Sequence, residues 1–390
     1  MRSPEEELGE LEARQLRRRL RRIDSPQGTH VTVEGREFLN FSSNDYLGLA
    51  NDSRLKAAFI DGVERFGAGS GASRLVCGTM GPHAELEESI AAFKRSEAAL
   101  TFSSGYATSV GTLSALMGKG DVIILDKLCH ASLIDGARLS GATLRVFPHN
   151  DIGKLESHLQ WAEKEVASAN GRILVVTESV FSMDGDRAPL AEIVALKERH
   201  GAWLLLDEAH AFGVIGPQGS GLAAELGWDD GRIDLQMGTF SKAAGLSGGY
   251  LCARRAVTDL LINRARSFIY STAPTPALAV AAMESIALIS GEEGERRRER
   301  LWQSVRLVAE AIGVTAGSAI LPIILGSNEA TLEASEALKE NGFLIPAIRY
   351  PTVPKGQARL RVTLSAAHQA EDVACLTEAV RPFLPGAPGE

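Results

Sequence analysis

Trp203-Leu204-Leu205-Leu206-Asp207-Glu208-Ala209-His210 is an apolar run closed by a carboxylate. An apolar run that ignores period two reads as a strand covered by helices on both faces. Asp207 then sits at the strand's carboxyl end, where open α/β sheets bind their ligands. A buried carboxylate is costly unless paired or hydrogen-bonded, so Asp207 either faces a cation, such as a protonated pyridine nitrogen, or caps a following helix. His210, three residues on, can reach the same side or serve as a hydrogen-bonded structural residue.

Similar runs lie on either side, at 98–102, 122–125, 144–147, 173–177 and 235–237, separated by helical stretches. Alternation of this kind predicts a mostly parallel sheet with right-handed crossovers. The large domain is expected over 45–285. The charged segment 291–300 begins a linking helix, and strands at 320–325, 343–348 and 359–364 predict a smaller C-terminal α/β domain over 286–390. Residues 1–44 read as an N-terminal arm. Helix formers run from 5 to 22 and end in Arg17, Arg18, Arg19, Arg21 and Arg22, before Asp24, Ser25, Pro26 and Gly28 break the pattern.

Of the 390 residues, 45% are hydrophobic and 23% charged, the composition of a globular protein rather than a disordered or fibrous one. Lys and Arg number 41 against 49 Asp and Glu, a formal charge of −8 that offers no general attraction to nucleic acid. Cys77, Cys129, Cys252 and Cys375 are far apart and suggest neither a zinc cage nor a disulfide framework. The acidic start lacks the basic and apolar parts of a secretory signal, so a cytoplasmic location is expected. The apolar stretch 273–290 is interrupted by Pro274, Pro276 and Glu284 and reads as a buried helix, not a membrane span.

Gly238-Thr239-Phe240-Ser241-Lys242 follows an apolar run and precedes Gly245-Leu246-Ser247-Gly248-Gly249. A lysine flanked by hydroxyls and glycines can lie near a phosphate and, when neutral, form a Schiff base with an aldehyde. Phe102-Ser103-Ser104-Gly105-Tyr106 follows a predicted strand and opens a predicted helix, either as a phosphate-binding turn or as an ordinary cap. Tyr106 or His130 is available to stack on a flat ring. An amine for an aldehyde, an acid for a ring nitrogen and a turn for a phosphate together describe pyridoxal 5'-phosphate, PLP.

Asp207-Glu208-Ala209-His210, Gly238 to Lys242 and Thr177-Glu178-Ser179-Val180-Phe181-Ser182-Met183-Asp184-Gly185-Asp186 resemble the α-oxoamine synthases, of the aspartate aminotransferase-like fold (PLP fold type I). The resemblance implies decarboxylative condensation of an amino acid with an acyl thioester. Phe41-Ser42-Ser43-Asn44-Asp45-Tyr46-Leu47-Gly48-Leu49, Phe147-Pro148-His149-Asn150-Asp151 and Ala347-Ile348-Arg349-Tyr350-Pro351-Thr352-Val353-Pro354 are most similar to the member that joins L-alanine to a pimeloyl thioester, carried by CoA or acyl carrier protein. Glycine C-acetyltransferase, which uses glycine and a two-carbon acyl group, is the principal alternative, and a non-catalytic subunit a remote one.

The resemblance also implies roles. Lys242 matches the lysine that joins the cofactor, Asp207 the partner of its ring nitrogen, His210 the residue at its phenolic oxygen and His130 the stacking histidine. Gly105, Tyr106, Ser182 and Thr239 match cofactor contacts. Thr272 matches a phosphate contact from the neighbouring subunit, which implies a homodimer. Thr352 and Arg361 match substrate positions, Arg361 being suited to a carboxylate. An arginine of the arm belongs there too: spacing to Asn40 selects Arg18, with Arg17 or Arg21 as alternatives. Ala211, where the family has Gly, and Arg74 in Gly71-Ala72-Ser73-Arg74 are departures that bear on acyl-chain preference.

Gly67-Ala68-Gly69-Ser70-Gly71-Ala72 fits G-x-G-x-x-A, but a helix rather than a strand is expected before it, which argues against a dinucleotide site. His83, Glu85 and Glu87 read as a solvated helix start, so no metal is expected.

Overall fold

The computed structural model describes residues 2–167, 169–228 and 231–384. The chain divides into two compact units, one of residues 49–182 and 186–298, the other of residues 1–48, 183–185 and 299–390.

The first unit is built on a seven-stranded sheet in the order Ala98–Phe102, Gly249–Ala253, Leu235–Thr239, Trp203–Asp207, Ile173–Glu178, Val122–Asp126, Thr143–Phe147. The last five run parallel, and Gly249–Ala253 lies antiparallel to both its neighbours. The α/β class and mostly parallel sheet expected from the sequence are therefore found. Strand Gly249–Ala253 was not anticipated, because its apolar residues Tyr250 to Ala253 hide behind a glycine-rich stretch that reads as a loop. Leu113, Ile123, Leu133, Leu174, Leu205 and Leu251 meet in a core between the sheet and the helices Gly105–Leu116, Ala131–Ser140 and Arg255–Arg264. Burial on both faces explains why these strands lack polar alternation.

Helix Ser53–Phe66 is capped by Asp52, whose carboxylate accepts from the Arg54 N–H at 2.9 Å. It packs so closely on Pro276–Ser290 that a Cβ at Gly62 would fall 2.6 Å from Ala277 Cα. Pro276 sits in the first turn of that second helix, where no intrahelical N–H bond is lost. The segment Gly67 to Ala72 thus follows a helix, without the strand a dinucleotide site requires.

The second unit holds two three-stranded sheets. His30–Val33 and Arg36–Asn40 form a hairpin, against which Phe343–Leu344 lies parallel. Ala358–Thr363 is central in the other sheet, between Ile320–Gly326 and Ala347–Ile348, both antiparallel to it. The single strand expected over 343–348 is in fact two, in different sheets. Pro346 interrupts the run, since it has no N–H to donate to a ladder. The N-terminal helix is also shorter than its helix formers suggest: Pro4–Ala13 has a Ser3–Glu6 capping box but buries none of its residues, and Arg17 to Arg22 are irregular. Clustered arginines repel one another and present no apolar face that packing could reward. Among the described residues no helix is long and apolar enough to cross a membrane.

Candidate active site

Three neighbouring parallel strands end in carboxyl groups: Val122–Asp126, Ile173–Glu178 and Trp203–Asp207. Asp126, Glu178 and Asp207 are all buried. Each solves the cost of burial differently.

Asp207 Oδ1 accepts from the Ala209 N–H at 2.8 Å, folding the chain so that His210 follows on a tight turn. The Asp207 carbonyl accepts from both the N–H and the hydroxyl of Ser179, at 2.8 and 3.0 Å. Burial raises the Asp207 pKa, and the Lys242 charge opposes the rise. Lys242 Nζ lies 2.9 Å from His210 Nε2. The lysine, the acid and the histidine singled out in the sequence therefore form one cluster.

Asp126 is held from two directions. It accepts from the Leu128 and Asn150 main-chain N–H groups at 2.8 and 2.9 Å and faces His149 Nδ1 at 3.1 Å. His149 Nε2 lies 2.8 Å from Asp186, and the ring meets Phe181 edge-on. Burial pulls the His149 pKa down, but the hydrogen bonds to Asp126 and Asp186 outweigh it and carry the pKa up to about 10. The Phe147 to Asp151 motif is thus an imidazolium clamped between two carboxylates.

Glu178 pairs in register with Asp207 and accepts a hydrogen bond from the main-chain N–H of His130. Burial, then the Asp207 charge, raises its pKa. Nothing in the sequence reading singled this residue out. The signal was present all the same, since Glu178 closes an apolar run just as Asp207 does. His130 caps helix Ala131–Ser140: its Nδ1 accepts from the Ser132 N–H at 3.3 Å and lies 2.8 Å from the Ser132 hydroxyl. Desolvation lowers the His130 pKa against the pull of Asp207, leaving a neutral ring at neutral pH.

Gly105 and Thr239 also meet, for a Cβ at Gly105 would lie 3.6 Å from Thr239 Cβ. Ser104 caps helix Gly105–Leu116 by accepting from the Ala107 N–H at 3.1 Å. Gly249 lets its strand run against this turn, because a Cβ there would fall 2.8 Å from the Gly105 nitrogen. Thr239 donates to the Gly248 carbonyl at 2.6 Å and accepts from the Ser241 N–H at 3.1 Å. Tyr106 is half exposed and donates to Asp135 at 2.8 Å. Ser182 follows Phe181, whose N–H donates to the Asp186 carbonyl. Thr272 is exposed and forms an isolated bridge to Ser73.

Behind the Asp207–His210 turn, Glu208 is fully buried. It accepts from the Lys94 ammonium and, at 3.2 Å, from the Ala223 N–H. Ala211, the first departure, is buried with its N–H on the Glu208 carbonyl. Arg74, the second, spends its charge internally: it is bidentate to Glu87 at 2.9 and 3.0 Å and stacks over Phe268. His83 bridges the Met80 N–H and the Pro274 carbonyl.

In the other unit, Arg18 Nη2 donates to Thr352 Oγ1 at 3.0 Å. That contact distinguishes Arg18 from Arg17, which pairs with Glu12 at 3.3 Å. Arg17, Arg18, Arg19, Arg349 and Thr352 line a cleft of about 400 Å³. Arg361 is buried and donates to Thr363 at 3.1 Å and to Asn44 at 3.1 Å, which places Asn44 beside it.

A family model for class I and II aminotransferases matches residues 36–380. The chain belongs to that family. Among curated members of this aminotransferase family, 8-amino-7-oxononanoate synthases of Paraburkholderia phymatum and Burkholderia mallei are each 45% identical over 386 residues, covering 96% of both chains. Among solved structures, a serine palmitoyltransferase from S. paucimobilis with bound PLP and myriocin superposes with a TM-score of 0.90 at 30% identity, covering 97% of this chain and 96% of that one. An 8-amino-7-oxononanoate synthase from Francisella tularensis gives 0.74 at 28% identity, covering 88% of this chain and 96% of that one. The aspartate aminotransferase-like fold expected from the motifs is therefore the one adopted.

The aminotransferase family's cofactor is PLP, and the residues present fit it. A buried acid whose charge needs an opposing cation, an amine close by, and a helix start pinched free of side chains by Gly105 and Gly249 match its nitrogen, aldehyde and phosphate in turn.

Proposed function

We propose that this protein is a PLP-dependent acyltransferase that condenses L-alanine with a pimeloyl thioester, releasing the thiol and carbon dioxide, to form 8-amino-7-oxononanoate for biotin biosynthesis. The observation that carries the chemistry is Lys242 Nζ at 2.9 Å from His210 Nε2, with Asp207 buried alongside. The choice of substrates rests on the 45% identity to 8-amino-7-oxononanoate synthases along 96% of the chain.

When bound, PLP supplies an aldehyde for an amine and a protonated ring that withdraws electrons from the amino acid's α carbon. Asp207 would hold that ring's nitrogen, and His210 its phenolic oxygen. Gly105, Thr239 and the start of helix Gly105–Leu116 would hold the phosphate, with Tyr106 and Ser182 contributing and Thr272 of a second subunit completing the site of a homodimer. Lys242 Nζ takes the α proton of alanine and returns a proton to the same carbon after carbon dioxide has left. His130, capping its helix, would stack on the ring and orient the reacting carbonyl. Arg361 fixes a carboxylate with its planar fork, and Arg18 and Thr352 bind the acyl substrate.

The test offers glycine, L-alanine or L-serine with acetyl-CoA, pimeloyl-CoA or palmitoyl-CoA and measures released thiol and carbon dioxide. Alanine with pimeloyl-CoA should turn over fastest. A preference for glycine with acetyl-CoA would instead make the protein a glycine C-acetyltransferase, and serine with palmitoyl-CoA would align it with the serine palmitoyltransferases.

A further inference from the structure

The row of buried carboxyls at the ends of three adjacent strands leaves one member without a part in the chemistry above. Asp126 is balanced by His149, and Asp207 faces Lys242. Glu178, between them in the sheet, has neither role. We propose that Glu178 is a positioning residue, whose carboxyl oxygen grips the main-chain N–H of His130 and so fixes the imidazole beside Asp207 and Lys242. The inference rests on the PLP reading, since it assigns His130 its place against the cofactor.

The geometry supports this in three ways. The acceptor is rigid: Glu178 is the last residue of a strand paired in register with Trp203–Asp207 and is 2% exposed. The donor stands where the chain leaves strand Val122–Asp126 and enters helix Ala131–Ser140, so the bond anchors the turn that carries the histidine. The other end of the imidazole is already tied, because Nδ1 engages both the N–H and the hydroxyl of Ser132. With the main chain and Nδ1 both fixed, Nε2 is the ring nitrogen left to face a reacting group.

The charges around Glu178 decide its protonation. Facing it are Asp207 on the neighbouring strand, Lys242 after strand Leu235–Thr239, Asp126 on the other side, the Cys129 thiol and His130. Burial, then the Asp207 charge, raises the Glu178 pKa against the pull of Lys242, which favours the protonated acid. A neutral Glu178 still accepts from His130 and leaves the negative charge on Asp207, where the ring nitrogen needs it.

Glutamine reproduces a protonated glutamate in shape and acceptor, whereas alanine removes the acceptor. The test compares wild type, Glu178→Gln and Glu178→Ala for PLP dissociation constant and turnover. Glu178→Gln should stay within about threefold of wild type at pH 7 in both constants, and Glu178→Ala should weaken PLP binding about tenfold and slow turnover at least as much. The proposal is overturned if Glu178→Gln falls as far as Glu178→Ala, or if Glu178→Ala matches wild type. Should Glu178→Ala not fold, the glutamine variant decides alone. Failure of the wild-type protein to bind PLP would sink the cofactor reading instead, and so be told apart.

Discussion

Lys242 Nζ stands 2.9 Å from His210 Nε2, so the amine and the imidazole share one hydrogen bond, and the Lys242 charge acts on the buried Asp207. With the lysine donating, Nε2 accepts and the ring hydrogen sits on Nδ1. A single substitution at either residue breaks the bond, but only loss of the lysine removes the base.

Lys242→Ala is expected to abolish turnover, by at least about 10³-fold, as for loss of a group that both joins the cofactor and moves the proton. PLP should still bind through Asp207 and the Gly105–Thr239 turn, but borohydride treatment should leave it removable by dialysis. PLP remaining fixed to the variant after reduction would place the attachment on another lysine.

Asp207→Asn keeps the shape and loses the charge. Bound PLP should be retained within about tenfold in affinity, while turnover falls by about 10² or more, because the ring nitrogen is no longer held protonated. Unchanged turnover in this variant would remove Asp207 from the mechanism.

Lys94 and Glu208 form a buried ion pair behind the Asp207–His210 turn, with the Ser220 carbonyl completing the ammonium's contacts. Lys94→Met strands a charged carboxyl in the core and should cost about 3–5 kcal/mol of unfolding free energy, against much less for the double change Lys94→Met with Glu208→Leu. Urea denaturation of the two variants and the wild type measures the difference. Equal losses in the single and double variants would mean that the pair is not what braces the turn.

His149 makes stability fall with rising pH. Its folded pKa, about 10, lies above the ordinary histidine value, so its contribution is complete below about pH 6.5 and is lost as pH climbs toward 10. His149→Gln should therefore be less stable than wild type at pH 6 by a few kcal/mol, with the gap closing by pH 10. Thermal melting at pH 6, 8 and 10 reads this directly. A gap that stays constant or widens with pH would rule out a charged His149.

Much of this was legible in the primary structure because burial on both faces writes itself as unbroken apolar runs. The expected strands at 98–102, 122–125, 173–177 and 203–206 recur with ends moved by at most one residue. The clustering of Lys242, Asp207 and His210 was anticipated from motifs at strand ends. That Arg18, among neighbouring arginines, touches Thr352 was not legible, since identical side chains in a row carry no positional signal.

What the residue order settled by itself was the alternation of strand and helix, and with it which side chains stand at the carboxyl ends of the sheet. What only tertiary structure decided was which of those side chains touch. Asp126, Glu178 and Asp207 lie far apart along the chain and become neighbours through parallel pairing. Their charges, and the partners His149, His130 and Lys242 that answer them, depend on distances in a low-dielectric interior that no local pattern encodes.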